Sequence, residues 1–237
     1  MRALLVLLYL AASALPVVWL AVRSGDAWRA VLGDSTWQHA YGLALLRAAI
    51  AALGAAALAA PAAVAIAGYR FSGRRLAVRV FALARVVPAL LLVAPGSGFV
   101  AYLALCPEPY RVPVAHLGCN VPIAVWIMTS ALARTPQALV DLARGDGLGL
   151  VGRVRFVLWP RLAPALVLSC AVSFVASWSE VALAEALGMV AEGAIHTIPL
   201  TAPLPERAVA ALLALAPGVL CGILVAWAAH RLRRTAT

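Results

Sequence analysis

Long apolar stretches separated by short polar ones dominate the chain. Each stretch is close to the roughly 20 residues that an α-helix needs to cross the hydrocarbon core of a bilayer. The pattern therefore predicts an all-α fold, a polytopic membrane helical bundle in which the whole chain, 1–237, forms one transmembrane domain. About six spans are predicted, at roughly 3–22, 43–69, 82–105, 112–133, 163–187 and 208–229.

Composition supports a membrane location. Hydrophobic residues make up 65% of the 237 positions and charged residues only 12%, and the mean hydropathy is +0.98. These values exclude a water-soluble globule and a disordered segment. The 4 cysteines are also too few for a disulfide-rich secreted module.

The 19 basic residues are all arginines, and they fall mainly on one side of the predicted bundle. If both termini are cytoplasmic, fourteen arginines lie on the inner side, one lies within a span, and Arg23, Arg29, Arg111 and Arg207 lie on the outer side. Cytoplasmic loops of membrane proteins carry an excess of basic residues, so we expect this orientation. The net charge of +10 then reflects topology in a lipid bilayer, and we expect no nucleic-acid partner.

The first apolar run has a second interpretation, as a secretory signal peptide. Arg2 and the apolar run to Leu10 are followed by small residues at 11–14, which is typical of such signals. The apolar stretch continues to Val22, however, and so has the length of a span. We therefore expect an uncleaved helix, and its removal would leave the later loops on the same sides.

Cysteine and histidine spacings indicate no metal site. The cysteines at 106, 119, 170 and 221 form no C-x-x-C pair, and the histidines at 39, 116, 196 and 230 are scattered. Cys106 and Cys119 both map near the outer face and could pair in an oxidising compartment. We expect instead that the cysteines are buried thiols that pack as small apolar side chains.

The segment 133–162 is the longest predicted cytoplasmic loop. Thr135 is expected to be the N-cap of a short helix and Pro136 its first residue, and the helix should stop between Gly145 and Gly149. A second helical piece should follow and reach the next span near Pro160. Such a segment could be a docking knob for a partner protein or an amphipathic segment at the lipid headgroups.

The same loop resembles the signature of the permease subunits of binding-protein-dependent ABC importers. That signature reads Glu-Ala-Ala, three residues, Gly, nine residues, then Ile-x-Leu-Pro. Every spacing is kept here, and four residue types differ, namely Asp for Glu, Leu for Ala, Val for Ile and Trp for Leu. The matching positions are Asp141, Leu142, Ala143, Gly147, Val157, Trp159 and Pro160.

The resemblance implies a function in transport rather than an enzyme. The seven matching residues would form the coupling helices that dock on an ABC ATPase subunit, with Gly147 as the hinge, and Mg-ATP would bind that partner. An extracytoplasmic solute-binding protein and a second permease copy or paralogue are also implied, in a bacterial cytoplasmic membrane. The segment from His196 to Leu200 resembles a weaker family element before the last span. This chain would contain no catalytic residue and no cofactor.

Charge inside a predicted span suggests a solute pathway, because burying charge in hydrocarbon is costly. Glu180 lies deep in the fifth predicted span and follows Ser177, so both are candidates for lining a pathway. An equally good interpretation is that a neighbouring helix satisfies the carboxyl group. Glu180 also supports the alternative function, an ATP-independent secondary transporter or channel.

Overall fold

The computed structural model describes residues 14–69, 71–84, 102–103, 105–179 and 202–234. The described residues are largely helical and contain no strand. The helices are α1 Ala14–Ser24, α2 Ala27–Gly33, α3 Ser35–Gly68, α4 Arg74–Ala84, α5 Glu108–Leu132, α6 Gln137–Gly145, α7 Leu150–Ser179 and α8 Leu204–Arg234.

Within the described residues, four helices are long and apolar enough to cross a membrane, namely α3, α5, α7 and α8. They correspond to the second, fourth, fifth and sixth predicted spans. The all-α polytopic membrane fold is therefore confirmed. Much of the first and third predicted spans lies outside the described residues, so the number of six remains a prediction.

The long helices extend past the apolar runs that predicted them. Helix α3 begins at Ser35 rather than near 43, because the Asp34 carboxylate accepts hydrogen bonds from the backbone N–H groups of Thr36 at 2.9 Å and Trp37 at 3.4 Å. A side-chain oxygen in this position satisfies N–H groups that have no partner within the helix. Hydropathy alone does not detect such an end, since the first turns of α3 are polar.

The chain divides into two compact units, to which α3 and α8 each contribute residues. The first unit comprises the described residues within 1–44 and 190–220. Its apolar core is formed by Val31, Trp37 and Val209. Trp37 stacks on Tyr41 with ring centroids 4.9 Å apart, and the Tyr41 hydroxyl donates a hydrogen bond to the Leu213 carbonyl at 3.1 Å.

The second unit comprises the described residues within 45–189 and 221–237. Its core is built where a face of small residues on α3 meets α5 and α7, since small side chains let membrane helices approach closely. The core includes Ala55, Ala59 and Ala63 of α3, Met128 and Leu132 of α5, and Leu158 and Leu162 of α7. None of the four cysteines forms a disulfide bond, so the Cys106–Cys119 pairing is not formed.

Candidate functional site: the 133–162 loop

The loop leaves α5 through a tight turn and enters α6. The backbone N–H of Thr135 donates to the Leu132 carbonyl at 2.9 Å, and α6 begins at Gln137 with Pro136 as its N-cap. The predicted cap at Thr135 is therefore wrong, since no side chain caps this helix. Proline at the N-cap is compatible with the start, because its extended backbone at ψ 128° leads into the first turn.

Helix α6 ends in a two-bond glycine cap, a Schellman motif. The Leu148 N–H donates to the Ala143 carbonyl at 3.0 Å, and the Gly147 N–H donates to the Arg144 carbonyl at 3.1 Å. Gly147 has φ +76°, which is the left-handed conformation expected in this stretch. The motif fixes the direction in which the chain leaves α6, because the Ala143 and Arg144 carbonyls at the helix end both accept a hydrogen bond.

Helix α7 begins inside the loop and continues without a break into the apolar span. The predicted second helical piece is present from Leu150, and it joins the span near Pro160 as expected, but the span helix begins before the predicted position 163. A π-helical turn over Val154–Leu158 links the two parts, and the Trp159 N–H bonds to the Val154 carbonyl. Pro160 has no N–H, and its ring crowds the carbonyl four residues earlier, so a wider turn relieves the clash without ending the helix.

The structure divides the seven signature residues between the surface and the core. Leu142 is 64% exposed, whereas the adjacent Ala143 is 6% exposed. Val157 is half-buried and packs against the core of the second unit. The other four signature positions, Asp141, Gly147, Trp159 and Pro160, are exposed. Position 143 therefore holds the small side chain that tight packing requires, and the Leu142 side chain is free to meet a partner.

Further apolar side chains, which sequence reasoning did not select, enlarge this exposed surface. Leu139 lies one turn before Leu142, and a spacing of three residues places the two on one helix face. The spacing was readable in the sequence, although burial was not. The exposed apolar set, named here the docking face, comprises Leu139, Leu142, Leu150, Val151, Phe156 and Trp159.

The loop 133–162 carries seven charged residues, of which five are exposed, while Arg153 and Arg161 are partly buried. The Arg144 guanidinium lies 4.0 Å from the Asp141 carboxylate, and both side chains are more than half exposed. A pair of this kind contributes little to stability, because solvent screens it. The loop is therefore held by its backbone cap and its buried apolar residues, and Asp141 and Arg144 are available at the surface.

The pathway candidates are separate from the loop. Ser177 is 7% exposed, and its hydroxyl accepts a hydrogen bond from the Asn120 side-chain amide at 2.7 Å. Glu180 and the segment from His196 to Leu200 lie outside the described residues, so their assignments remain predictions. Within the part of the chain that the structure describes, no three His, Cys, Asp or Glu side chains are grouped as a metal site requires.

Comparison with known proteins finds relatives that are named as permease proteins of transport or uptake systems. The chain is 30% identical to the thiamine transport system permease protein ThiP of Brucella suis biovar 1, over 44% of this chain and 23% of ThiP. It is 21% identical to the maltodextrin transport system permease protein MdxG of Bacillus subtilis, over 50% of this chain and 43% of MdxG. No protein-family model matches the chain.

A third relative has a similar extent of match. The diacetylchitobiose uptake system permease protein DasC of Streptomyces coelicolor is 26% identical, over 55% of this chain and 47% of DasC. The matched region is thus about a quarter of the length of ThiP and less than half of MdxG and DasC. All three proteins are named as permeases of transport or uptake systems.

Proposed function

We infer that this chain, which is homologous to permease subunits of ABC importers, forms half of a translocation pathway and couples transport to ATP hydrolysis on a separate subunit. The docking face carries this inference. It presents exposed apolar side chains on a loop whose backbone is fixed by the Gly147 cap. Leu139 and Leu142 lie outside every candidate span of the described residues, and exposed apolar side chains in such a place are typical of protein–protein contacts.

The packing of α6 against the core of the second unit is suited to transmitting movement. Ala143 is buried, and Val140 packs against the second-unit core beside the ends of α3 and α5. A partner that displaces the docking face therefore moves α6 together with the core residues beneath it. A loosely attached loop would absorb the same displacement without transmitting it.

Helix α7 provides the connection from the loop to the span. It runs from Leu150 to Ser179 as one helix, and 30 residues at 1.5 Å each correspond to about 45 Å. A displacement imposed near Val151 therefore reaches the span through the turn at Val154–Leu158. The π turn at Val154–Leu158 is the place where its backbone hydrogen bonding changes and where bending is easiest.

The remaining components follow from this function. The loop and both termini are cytoplasmic, in agreement with the arginine distribution, and Mg-ATP binds ABC ATPase subunits that dock on the loop. An extracytoplasmic binding protein delivers the solute to the other side, and a second permease copy or paralogue completes the pathway. Because the relatives are named for thiamine, maltodextrin and diacetylchitobiose, we propose a small water-soluble organic solute.

Co-purification from native membranes in mild detergent tests this function. The tagged full chain should bring down an ATPase, and Leu142→Glu should reduce its recovery about tenfold or more, because a carboxylate would be buried unpaired in the contact. Leu32→Glu is the matched control, since Leu32 is also exposed but lies in α2, outside the loop and outside every predicted span. Its ATPase recovery should equal that of the unmodified chain.

Transport assays separate the proposed function from the alternative. Vesicles in which the ATPase subunits of the purified complex face the interior should accumulate solute when ATP is enclosed in them. A proton gradient without ATP should produce no uptake. Uptake that depends on the proton gradient, together with a folded chain that brings down no ATPase, would favour the secondary transporter and make Glu180 the next position to test.

A further inference from the structure

Helix α4 carries an apolar stripe and a basic edge on its exposed side. Leu76 is 66% exposed and Leu83 is 68% exposed, and Val80 between them is also exposed. Spacings of four and three residues place these side chains on one helix face. Arg75 and Arg79, one turn apart and both exposed, lie along the edge of that face.

The opposite side of α4 is anchored to the protein. Phe81 packs against the core of the second unit, and α4 lies against α5. Ala77, one turn before Phe81, is also partly buried. The orientation of the helix is therefore set by its contacts, and the stripe and the arginine edge are turned outward together.

The basic edge borders an open cleft in which none of the described lining residues is acidic. The cleft has a volume of about 690 Å³ and is lined by Phe71, Gly73, Arg74, Arg75, Val78 and Arg79. No Asp or Glu occurs between Asp34 and Glu108 in the sequence. Within the described ranges, no ion pair joins the arginines of the cleft to a carboxylate. The guanidinium groups are thus available to an external anion.

We propose that this surface of α4 binds anionic phospholipid, with the headgroup phosphate on Arg74, Arg75 and Arg79 and the acyl chains against Leu76, Val80 and Leu83. Arginine is well suited to phosphate because its planar guanidinium donates two parallel hydrogen bonds. An apolar stripe flanked by cations is the arrangement that lies in a bilayer interface.

The place of α4 in the chain favours a lipid over a soluble anion. The helix follows the span α3 and precedes the apolar run predicted at 82–105, so it is constrained to the level of the membrane surface. The arginines at 70 and 85 flank it in the sequence and increase the local positive charge. Negatively charged lipids attract clusters of this kind on the cytoplasmic leaflet.

Native mass spectrometry of the full-length chain in detergent tests the proposal. The protein is titrated with phosphatidylglycerol and, separately, with phosphatidylcholine, and the bound lipids are counted. We expect clear preference for phosphatidylglycerol. The double variant Arg75→Gln/Arg79→Gln should bind it roughly 30-fold more weakly, the factor expected when two cations are removed near a lipid phosphate.

Matched variants keep the result interpretable. Arg231→Gln/Arg233→Gln removes the same charge from two exposed arginines of α8 and should leave lipid binding unchanged. Arg75→Lys/Arg79→Lys keeps the charge but not the paired hydrogen bonds, so it should bind phosphatidylglycerol more tightly than the glutamine variant and less tightly than the unmodified chain. Leu76→Ser/Leu83→Ser should weaken phosphatidylglycerol binding while leaving the arginines in place.

Four results would overturn the proposal. Equal binding of both lipids, or equal loss in the α8 control, would show that the cleft has no special affinity. Displacement of phosphatidylglycerol by inorganic phosphate, with no effect of the leucine changes, would identify a site for a soluble anion. Unchanged lipid binding by the glutamine variant, accompanied by loss of a co-purifying protein, would assign the surface to a protein partner.

Discussion

The Asn120 side-chain amide in α5 donates a hydrogen bond to the Ser177 hydroxyl in α7 at 2.7 Å, and a second one to the Ser173 carbonyl at 3.2 Å. All three residues are buried inside the second unit. A polar group in a membrane span needs a partner within the protein, because lipid offers none. Asn120 therefore links the two helices at a point where apolar contacts alone would not fix their rotation.

Removing this link should lower the stability of the protein. In Asn120→Leu both interhelical hydrogen bonds are lost, and we expect the free energy of unfolding to fall by about 1 kcal/mol, since such bonds in membranes contribute on the order of 0.6 kcal/mol each. Thermal unfolding in detergent, followed by tryptophan fluorescence, measures the change.

Ser179→Ala is the matched control for Asn120→Leu. Ser179 is exposed, and among the described residues its hydroxyl bonds to carbonyls of its own helix, those of Val175 at 2.8 Å and Ala176 at 3.3 Å. The melting temperature of the Ser179→Ala variant should equal that of the unmodified chain. If Asn120→Leu melted at that temperature too, the interhelical bonds would have no net effect on stability.

A close approach of α3 and α5 provides a second prediction. A Cβ atom on Gly54 would clash with the Leu117 Cδ1 atom, the end of a flexible side chain. Gly54→Ala should therefore force the Leu117 side chain to move, and because alanine also favours the helix we expect a net loss of at most about 1 kcal/mol in the free energy of unfolding. Thermal unfolding of the purified chain again gives the measurement.

Two further variants isolate the steric cause. Gly222→Ala makes the same change in α8, where nothing lies within 4 Å of the added methyl group, so it should be neutral or slightly stabilising. The double change Gly54→Ala/Leu117→Ala should recover part of the loss, because the methyl group then has room. If the change in the free energy of unfolding of the double variant equalled the sum of the two single changes, the Gly54–Leu117 contact would not be the cause.

The long helices could be predicted from sequence because each requirement is local. An apolar run of the right length identifies α5 or α8, and Gly147 could be selected as a helix end because glycine suits the left-handed cap. The helix starts were less accurate, since the Asp34 cap and the missing Thr135 cap depend on the exact path of the backbone.

The candidate site was only partly predictable for a different reason. The signature spacing located the loop, but the difference in burial between Leu142 and Ala143 depends on how α6 rotates against the core. The Asn120–Ser177 bond joins positions 57 apart in the chain, so no local pattern reports it. The π turn before Pro160 was not predicted, because proline alone does not tell whether a helix ends or widens.

The left-handed backbone of Gly147 gives a third prediction. Gly147→Val should strain the cap by roughly 1–2 kcal/mol or more, and nothing lies within 4 Å of the new Cβ atom, so any cost comes from the backbone. We expect ATPase co-purification and ATP-driven uptake to fall while membrane insertion stays normal. Normal uptake in this variant would refute Gly147 as the hinge.

A neighbouring glycine supplies the control for Gly147. Gly149 lies in the same loop with φ −63°, and nothing lies within 4 Å of a Cβ atom added there, so Gly149→Val should be close to the unmodified chain in uptake. Gly147→Asn should be milder than Gly147→Val, because asparagine tolerates the left-handed conformation. Equal losses at 147 and 149 would indicate that loop composition matters, rather than the cap.

The contrast between Leu142 and Ala143 leads to a fourth prediction, with opposite effects at adjacent positions. Ala143→Leu should lower the free energy of unfolding by about 1–3 kcal/mol, because the added side chain has to enter the core beneath α6. Leu142→Ala should leave unfolding unchanged yet weaken ATPase binding, because the lost surface is exposed in this chain and buried only by a partner. Thermal unfolding and co-purification, measured on both variants, separate the two effects. If Leu142→Ala destabilised the isolated chain as much as Ala143→Leu, position 142 would belong to the core, and the docking face would have to be redrawn around Leu139 and Val151.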